Sequence, residues 1–172
     1  MISVILCIAC GLAVVSIDQL TKYIVMSEFY LGETREFING LIDFTYIHNR
    51  GAAWGMLSGK TWILLAFTTA VMIFCVVVIV RQGAKSKLLL WAMTLVLSGG
   101  IGNMIDRVFK DGNVVDFLHF EFWPTFPVFN IADCAIVIGA GMLMLYFVLD
   151  TVNEYKLKKN ATTEEQVDNG NG

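Results

Sequence analysis

Four long apolar stretches divide the 172-residue chain. They cover about 3–26, 61–80, 88–108 and 131–152. Each approaches or exceeds the roughly 20 residues that cross about 30 Å of hydrocarbon at about 1.5 Å per residue. Backbone polar groups in lipid must be satisfied internally, so each stretch predicts a helix. Between the first two, residues 36–47 are β-prone runs around Asn39-Gly40, which predicts a hairpin within a β segment at about 30–58. The expected fold is a membrane all-α bundle of four transmembrane helices, with a small extracytoplasmic β-hairpin or sheet on its outer membrane face. Residues 1–158 form a single domain in this reading. Residues 159–172, polar and poor in aromatics, are expected to be a disordered cytoplasmic tail.

Composition supports the membrane class. The chain is 56% hydrophobic and only 16% charged, where a soluble domain carries roughly 25% charged residues. Its net charge of −3 offers no basic surface, so no nucleic-acid partner is expected. Arg81, Lys85 and Lys87 crowd one short loop, and Lys156, Lys158 and Lys159 follow the fourth stretch. Positive density of that kind puts both termini and the 81–87 loop in the cytoplasm, and segments 27–60 and 109–130 outside. The apolar N-terminal run has no Lys or Arg before it and continues past its small residues, so it reads as a retained span rather than a signal peptide. Cys7, Cys10, Cys75 and Cys134 all lie in apolar runs and read as small hydrophobes.

Against this background the charged and amide residues stand out. A carboxylate near the centre of a span costs about 2.5 kcal/mol or more unless it is paired, and therefore marks a candidate functional site. Asp18 and Lys22 are four apart and share a helix face, either as a packing pair or in contact with substrate. Asn103, Asp106 and Arg107 form one polar face after Gly99, Gly100 and Gly102. Asp106, with a cation beside it, reads as a support rather than a catalyst, paired with Arg107 or another partner. Asp116 sits among Val114, Val115, Phe117 and Leu118. Two readings stand for it: a strand residue turned to water, or a buried carboxyl whose pKa is raised.

Asn130 and Asp133 open the fourth stretch. They read as a helix cap, and the helix N-terminus also stabilises an anion at Asp133. Unlike surroundings for Asp116 and Asp133 suit a division between acid and base, with the two titrating as a unit. Asn49-Arg50-Gly51-Ala52-Ala53-Trp54 is either a turn into the second span or exposed backbone for an extended peptide. No HExxH motif is present and His48 and His119 lack helix-face spacing, which argues against a zinc protease.

Five ordered blocks carry a resemblance: Asp18-Gln19-Leu20-Thr21-Lys22, Asn49 to Trp54, Gly99 to Arg107, Val115-Asp116-Phe117 and Phe129-Asn130-Ile131-Ala132-Asp133. Together the chain resembles the lipoprotein signal peptidases, the type II signal peptidases of bacteria. The resemblance implies a multi-pass aspartyl endopeptidase of the bacterial cytoplasmic membrane, with its site near the extracytoplasmic face. Its substrates would be prolipoproteins carrying diacylglycerol on a cysteine, cut just before that cysteine. Asp116 and Asp133 would be the catalytic pair. Asp18, Lys22, Asn49, Gly51, Asn103, Asp106, Arg107, Asn130 and Ala132 would bind substrate or support the site. No metal or cofactor is implied. The expected partners are the lipidated precursors and membrane lipid, with the enzyme acting as a monomer. The competing class is a small transporter or lipid-binding subunit, in which the carboxylates form a proton relay or an ion site.

Overall fold

The computed structural model describes residues 2–83 and 86–170, with backbone only for residues 2, 53 and 161–170. Lys85, counted toward the basic loop, and the last two residues of the tail lie outside the described residues. Four helices hold the apolar stretches: α1 (Ile2–Glu28), α2 (Thr61–Gln82), α3 (Lys87–Phe109) and α4 (Ile131–Gly170). All four are long and apolar enough to cross a membrane, with the apolar part of α4 ending by Asn160. Beyond that point α4 continues to Gly170 along the polar segment. The chain is thus a multi-pass membrane protein with mostly helical structure.

Packing makes α3 the central helix. Of its most apolar 18 residues 56% are buried, against 11% for α1 and α2 and 17% for α4. It contacts each of the other three. Its small residues explain how: Ser98, Gly99, Gly100 and Gly102 are all buried. Gly99 lies against the backbone of Ala132 and against Ile136 on α4, and Gly102 lies against Asp18 on α1 and Ala132 on α4. Such close approach supplies dispersion contacts where lipid offers no hydrophobic drive between helices. Val4, Ile8, Leu12, Phe67 and Phe74 remain exposed on the outer faces of α1 and α2. Lipid is the solvent that accommodates such a surface.

The expected hairpin is present. Strands β1 (Thr34–Ile38) and β2 (Ile42–Asn49) pair antiparallel, and Gly40 takes φ 72° in the turn. That left-handed conformation needs no Cβ, which suits glycine. A third strand, β3 (Val114–Phe120), pairs with β2, giving the order β1-β2-β3. Tyr46, Val115 and Phe117 on this sheet pack with Val25 of α1, flanked by Phe29 and Ile131. The chain then turns back. Phe129 exchanges backbone bonds with Leu118, donating at 2.9 Å and accepting at 2.8 Å. This pairing sets the start of α4 directly beside the middle of β3.

Candidate active site

Asp116 lies on β3, between the buried Val115 and Phe117, and is itself only 2% exposed. Of the two sequence readings, the buried carboxyl is therefore the one the structure adopts. Its oxygens accept from Asn49 Nδ2 at 2.9 Å and from Asn130 Nδ2 at 2.6 Å. Burial pushes its pKa up to about 7, helped by the negative charge of Asp133, while the bonds from Asn49 and Asn130 pull it down. A carboxyl poised near neutrality suits proton transfer.

Asp133 sits in the first turn of α4. The expected cap is complete and reciprocal: Asp133 N–H donates to Asn130 Oδ1 at 2.9 Å, and Asn130 N–H donates to Asp133 Oδ2 at 3.2 Å. The other oxygen accepts from Asn103 Nδ2 at 2.7 Å. Asn130 therefore bonds both aspartates, through its side chain to one and through its backbone to the other. The structure thus brings Asp116 and Asp133 together although they are distant in sequence.

A buried ionic cluster stands behind them. Lys22, fully buried, lies 2.9 Å from Asp18 and 3.1 Å from Asp106. Asp106 also pairs with Lys110 at 2.7 Å. Two carboxylates and two ammonium groups balance, which is what a low-dielectric interior demands. Asp106 does not pair with Arg107, one of the two partners left open from sequence. Arg107 follows Asp106 directly, so the two project differently from the helix. Its guanidinium instead donates to Gly51 O at 3.1 Å and Asn103 O at 3.5 Å.

Each support carboxylate also holds backbone. Asp18 accepts from the N–H of Ala132 at 2.9 Å, and Asp106 accepts from the N–H of Val115 at 3.0 Å. The cluster thus grips the residue preceding each of the paired aspartates. Lys22 further donates to Asn103 Oδ1 at 3.1 Å, as does Asn130 Nδ2 at 3.1 Å. With its oxygen so engaged, the Asn103 amide must present its nitrogen to Asp133.

Asn49 is oriented the same way. Its Oδ1 accepts from Gly51 N–H at 2.8 Å, leaving Nδ2 for Asp116. Gly51 has no room for a side chain: a Cβ there would fall 2.7 Å from the carbonyl carbon of Gly55 and the oxygen of Met56. Three supports escaped the sequence reading. Gln19 donates to Gly102 O at 3.1 Å and to Asp18 at 3.1 Å. Lys110 holds Asp106, and Asn113 accepts from Arg50 Nε at 3.2 Å. The i, i+4 spacing of Asp106 and Lys110 was the available signal.

Asp116 and Asp133 open onto a cavity of about 550 Å³. Its polar end holds Asn49, Asn103 and Arg107. Its other walls are apolar, with Phe126 and Phe129 facing Ile136, Val137 and Ile138 of α4. Arg107 Nε, buried at this end, has no partner among the described residues. No group of three His, Cys, Asp or Glu side chains among the described residues is placed to hold a metal. Two carboxyls in unlike surroundings at the polar end of an apolar cavity can divide acid and base roles toward one water.

The family described as Signal peptidase (SPase) II matches residues 10–149. A lipoprotein signal peptidase of Bacillus pumilus is 40% identical over 150 residues, covering 87% of this chain and 94% of its own. One of Brevibacillus brevis is 41% identical over 137 residues, covering 80% of this chain and 91% of its own. A bacterial membrane enzyme solved by the in meso method at 2.3 Å superposes with a TM-score of 0.81 at 35% identity, covering 86% of this chain and 90% of its own. The match runs from within α1 into α4 and takes in the whole polar site, and the chain belongs to the signal peptidase II family of membrane peptidases.

Proposed function

We propose that this peptidase is of the aspartic type and removes the signal peptide from diacylglyceryl-modified prolipoproteins, cutting just before the lipidated cysteine. The observation that carries the reading is the meeting of Asp116 and Asp133, tied through Asn130 at the polar end of a cavity whose walls are otherwise apolar. Apolar walls suit acyl chains and the hydrophobic residues that precede the cut. The substrate class is that named for the relatives.

In the reaction, Asp133 enters as the carboxylate, favoured by the N-terminus of α4. Asp116 enters carrying a proton, favoured by its burial. Asp133 takes a proton from water, and the water oxygen bonds to the scissile carbonyl carbon. Asp116 gives its proton to the carbonyl oxygen. The tetrahedral intermediate collapses as Asp133 passes its proton to the cysteine nitrogen and a hydroxyl of the intermediate returns one to Asp116; the C–N bond breaks, a carboxyl terminus and a free amine leave, and both aspartates regain their starting states. The unpartnered Nε–H of Arg107 is a donor available to a peptide carbonyl in the cavity.

Orientation follows from charge. Arg81 and Lys87 lie at the helix ends opposite the sheet, on the side of the chain termini, as do Lys156, Lys158 and Lys159. Positive residues collect on the cytoplasmic side. The sheet and the two aspartates then face outward, where the peptide to be released emerges. One copy of the chain contains the whole polar site, which suits a monomer.

The test uses a lipidated precursor and the full chain in detergent or bilayer discs. Asp116→Asn and Asp133→Asn should each abolish cleavage while leaving insertion and thermal unfolding close to wild type. Retained cleavage by either variant would exclude the aspartyl mechanism.

A further inference from the structure

A second cavity, also about 550 Å³, lies back to back with the first. Asn49, Trp54, Phe126, Pro127 and Val128 line both. Trp54 and Phe126, which meet edge-on with ring centroids 6.0 Å apart, belong to both linings. The two differ in chemistry. The first is walled by α4. The second touches no transmembrane helix and is lined by His48, Arg50, Ser58, His119 and Thr125.

No carboxylate is among the lining residues of this groove. Asp43 lies 4.0 Å from His119 Nδ1, and Asp116 lies behind Asn49, 2.9 Å from its Nδ2. His48 Nε2 is bonded to Tyr46 Oη at 2.7 Å. Arg50 is exposed and uses only Nε, toward Asn113. Its two terminal nitrogens have no partner among the described residues. Arg50 also follows Asn49 directly, so its Cα lies about 3.8 Å from that of the residue bonding Asp116. The groove's one formal cation therefore stands a single residue from the reacting centre.

We propose that this groove receives the residues immediately after the lipidated cysteine, and that Arg50 makes it select for an acidic side chain there. The proposal rests on the reading of the site as a lipoprotein-processing aspartyl peptidase. Two features assign the occupant. The groove shares a wall with the cavity of the two aspartates, and its charge complements an acidic peptide. A chain cut at the aspartates, just before the cysteine, keeps its apolar signal segment and the acyl chains of that cysteine against α4 and carries the polar residues that follow the cysteine into the second groove. Arg50 acts there as a specificity residue, because it touches neither aspartate.

The experiment compares lipidated precursor peptides that differ only in the two residues after the cysteine: Asp, Gln or Lys. kcat/KM is measured for the full-length wild type, Arg50→Gln and Arg50→Glu. The wild type should favour Asp over Lys by about fivefold, the scale of an exposed ion pair. Arg50→Gln should bring the ratio to about one, and Arg50→Glu should invert it. The wild-type ratio should also shrink at high salt, since exposed pairs are screened. Using the ratio removes any general effect of losing the Asn113 bond. The same ratio in all three proteins, or no wild-type preference, would overturn the groove's role alone. Failure of the wild type to cut any precursor would overturn the activity itself, and this role with it.

Discussion

Asp18 and Asp106 share the ammonium of Lys22, at 2.9 and 3.1 Å, while each also accepts the backbone N–H of the residue before one of the paired aspartates. The cation is therefore common to both halves of the site. Lys22→Met would leave Asp18 buried with no cation, and Asp106 with Lys110 alone. Breaking such a buried pair costs about 3–5 kcal/mol. We expect a large fall in the thermal unfolding midpoint in detergent, partly recovered in the double variant Asp18→Asn with Lys22→Met. An unchanged midpoint would show that the cluster does not hold the fold.

Asn130 has a different task. Fully buried, it bonds both aspartates. Asn130→Ala removes the 2.6 Å donor to Asp116 and half of the cap on α4. Loss of the cap costs about 1 kcal/mol. Loss of an aligned donor at a reacting carboxyl costs about 10²-fold in rate. Single-turnover cleavage should thus fall far more than the unfolding midpoint. Equal loss of both would make Asn130 a structural residue only.

Much of this arrangement was legible in the chain. The four spans follow from apolar length alone; the helices run on past them, through Ser27 and Glu28 in α1, Arg81 and Gln82 in α2 and the polar segment to Gly170 in α4. The hairpin follows from Asn39-Gly40. The reciprocal cap of Asn130 and Asp133 follows from their spacing. Strand β3 was visible only as a run of β-prone residues around Asp116. Its place in the sheet depends on pairing with β2, from Asn49 with Val114 to Ile42 with Phe120, far along the chain, and no local pattern encodes that. For the same reason the joining of Asp106 to Lys22 across two helices was hidden, whereas Asp18 and Lys22 on one face were not.

The pH dependence carries a definite sign. Asp116 is raised from an ordinary value near 3.8 to about 7, chiefly by burial. A role that needs its proton is filled below about 7, so cleavage should decline as pH rises through that value. Asn49 favours the charged form through its bond. Asn49→Leu should therefore move the declining limb to higher pH. The stability term follows the same group. A carboxyl raised in the fold stabilises it below about 3.8, and that contribution is lost as pH rises through about 7. Asp116→Asn should flatten this part of the stability profile. A limb that moves to lower pH in Asn49→Leu would contradict the assignment of the proton to Asp116.

Two neighbouring glycines of α3 separate close packing from mere smallness. A Cβ on Gly102 would stand 2.6 Å from Asp18 Oδ2 and 3.1 Å from the Cβ of Ala132. Both neighbours are fully buried, and Asp18 is fixed by Lys22 and Ala132 N–H. Neither can give way without loosening the support of Asp133. On Gly100 a Cβ would meet Met72 Cγ at 3.4 Å, an ordinary contact with a flexible side chain. Gly102→Ala should cost about 1–3 kcal/mol, the usual penalty of overpacking. It should also lower kcat, because Asp133 shifts with Ala132. Gly100→Ala should be tolerated, with cleavage and unfolding close to wild type. Equal tolerance of both substitutions, measured by unfolding and by turnover, would mean that the α1, α3 and α4 contact has slack and does not fix the position of the aspartates.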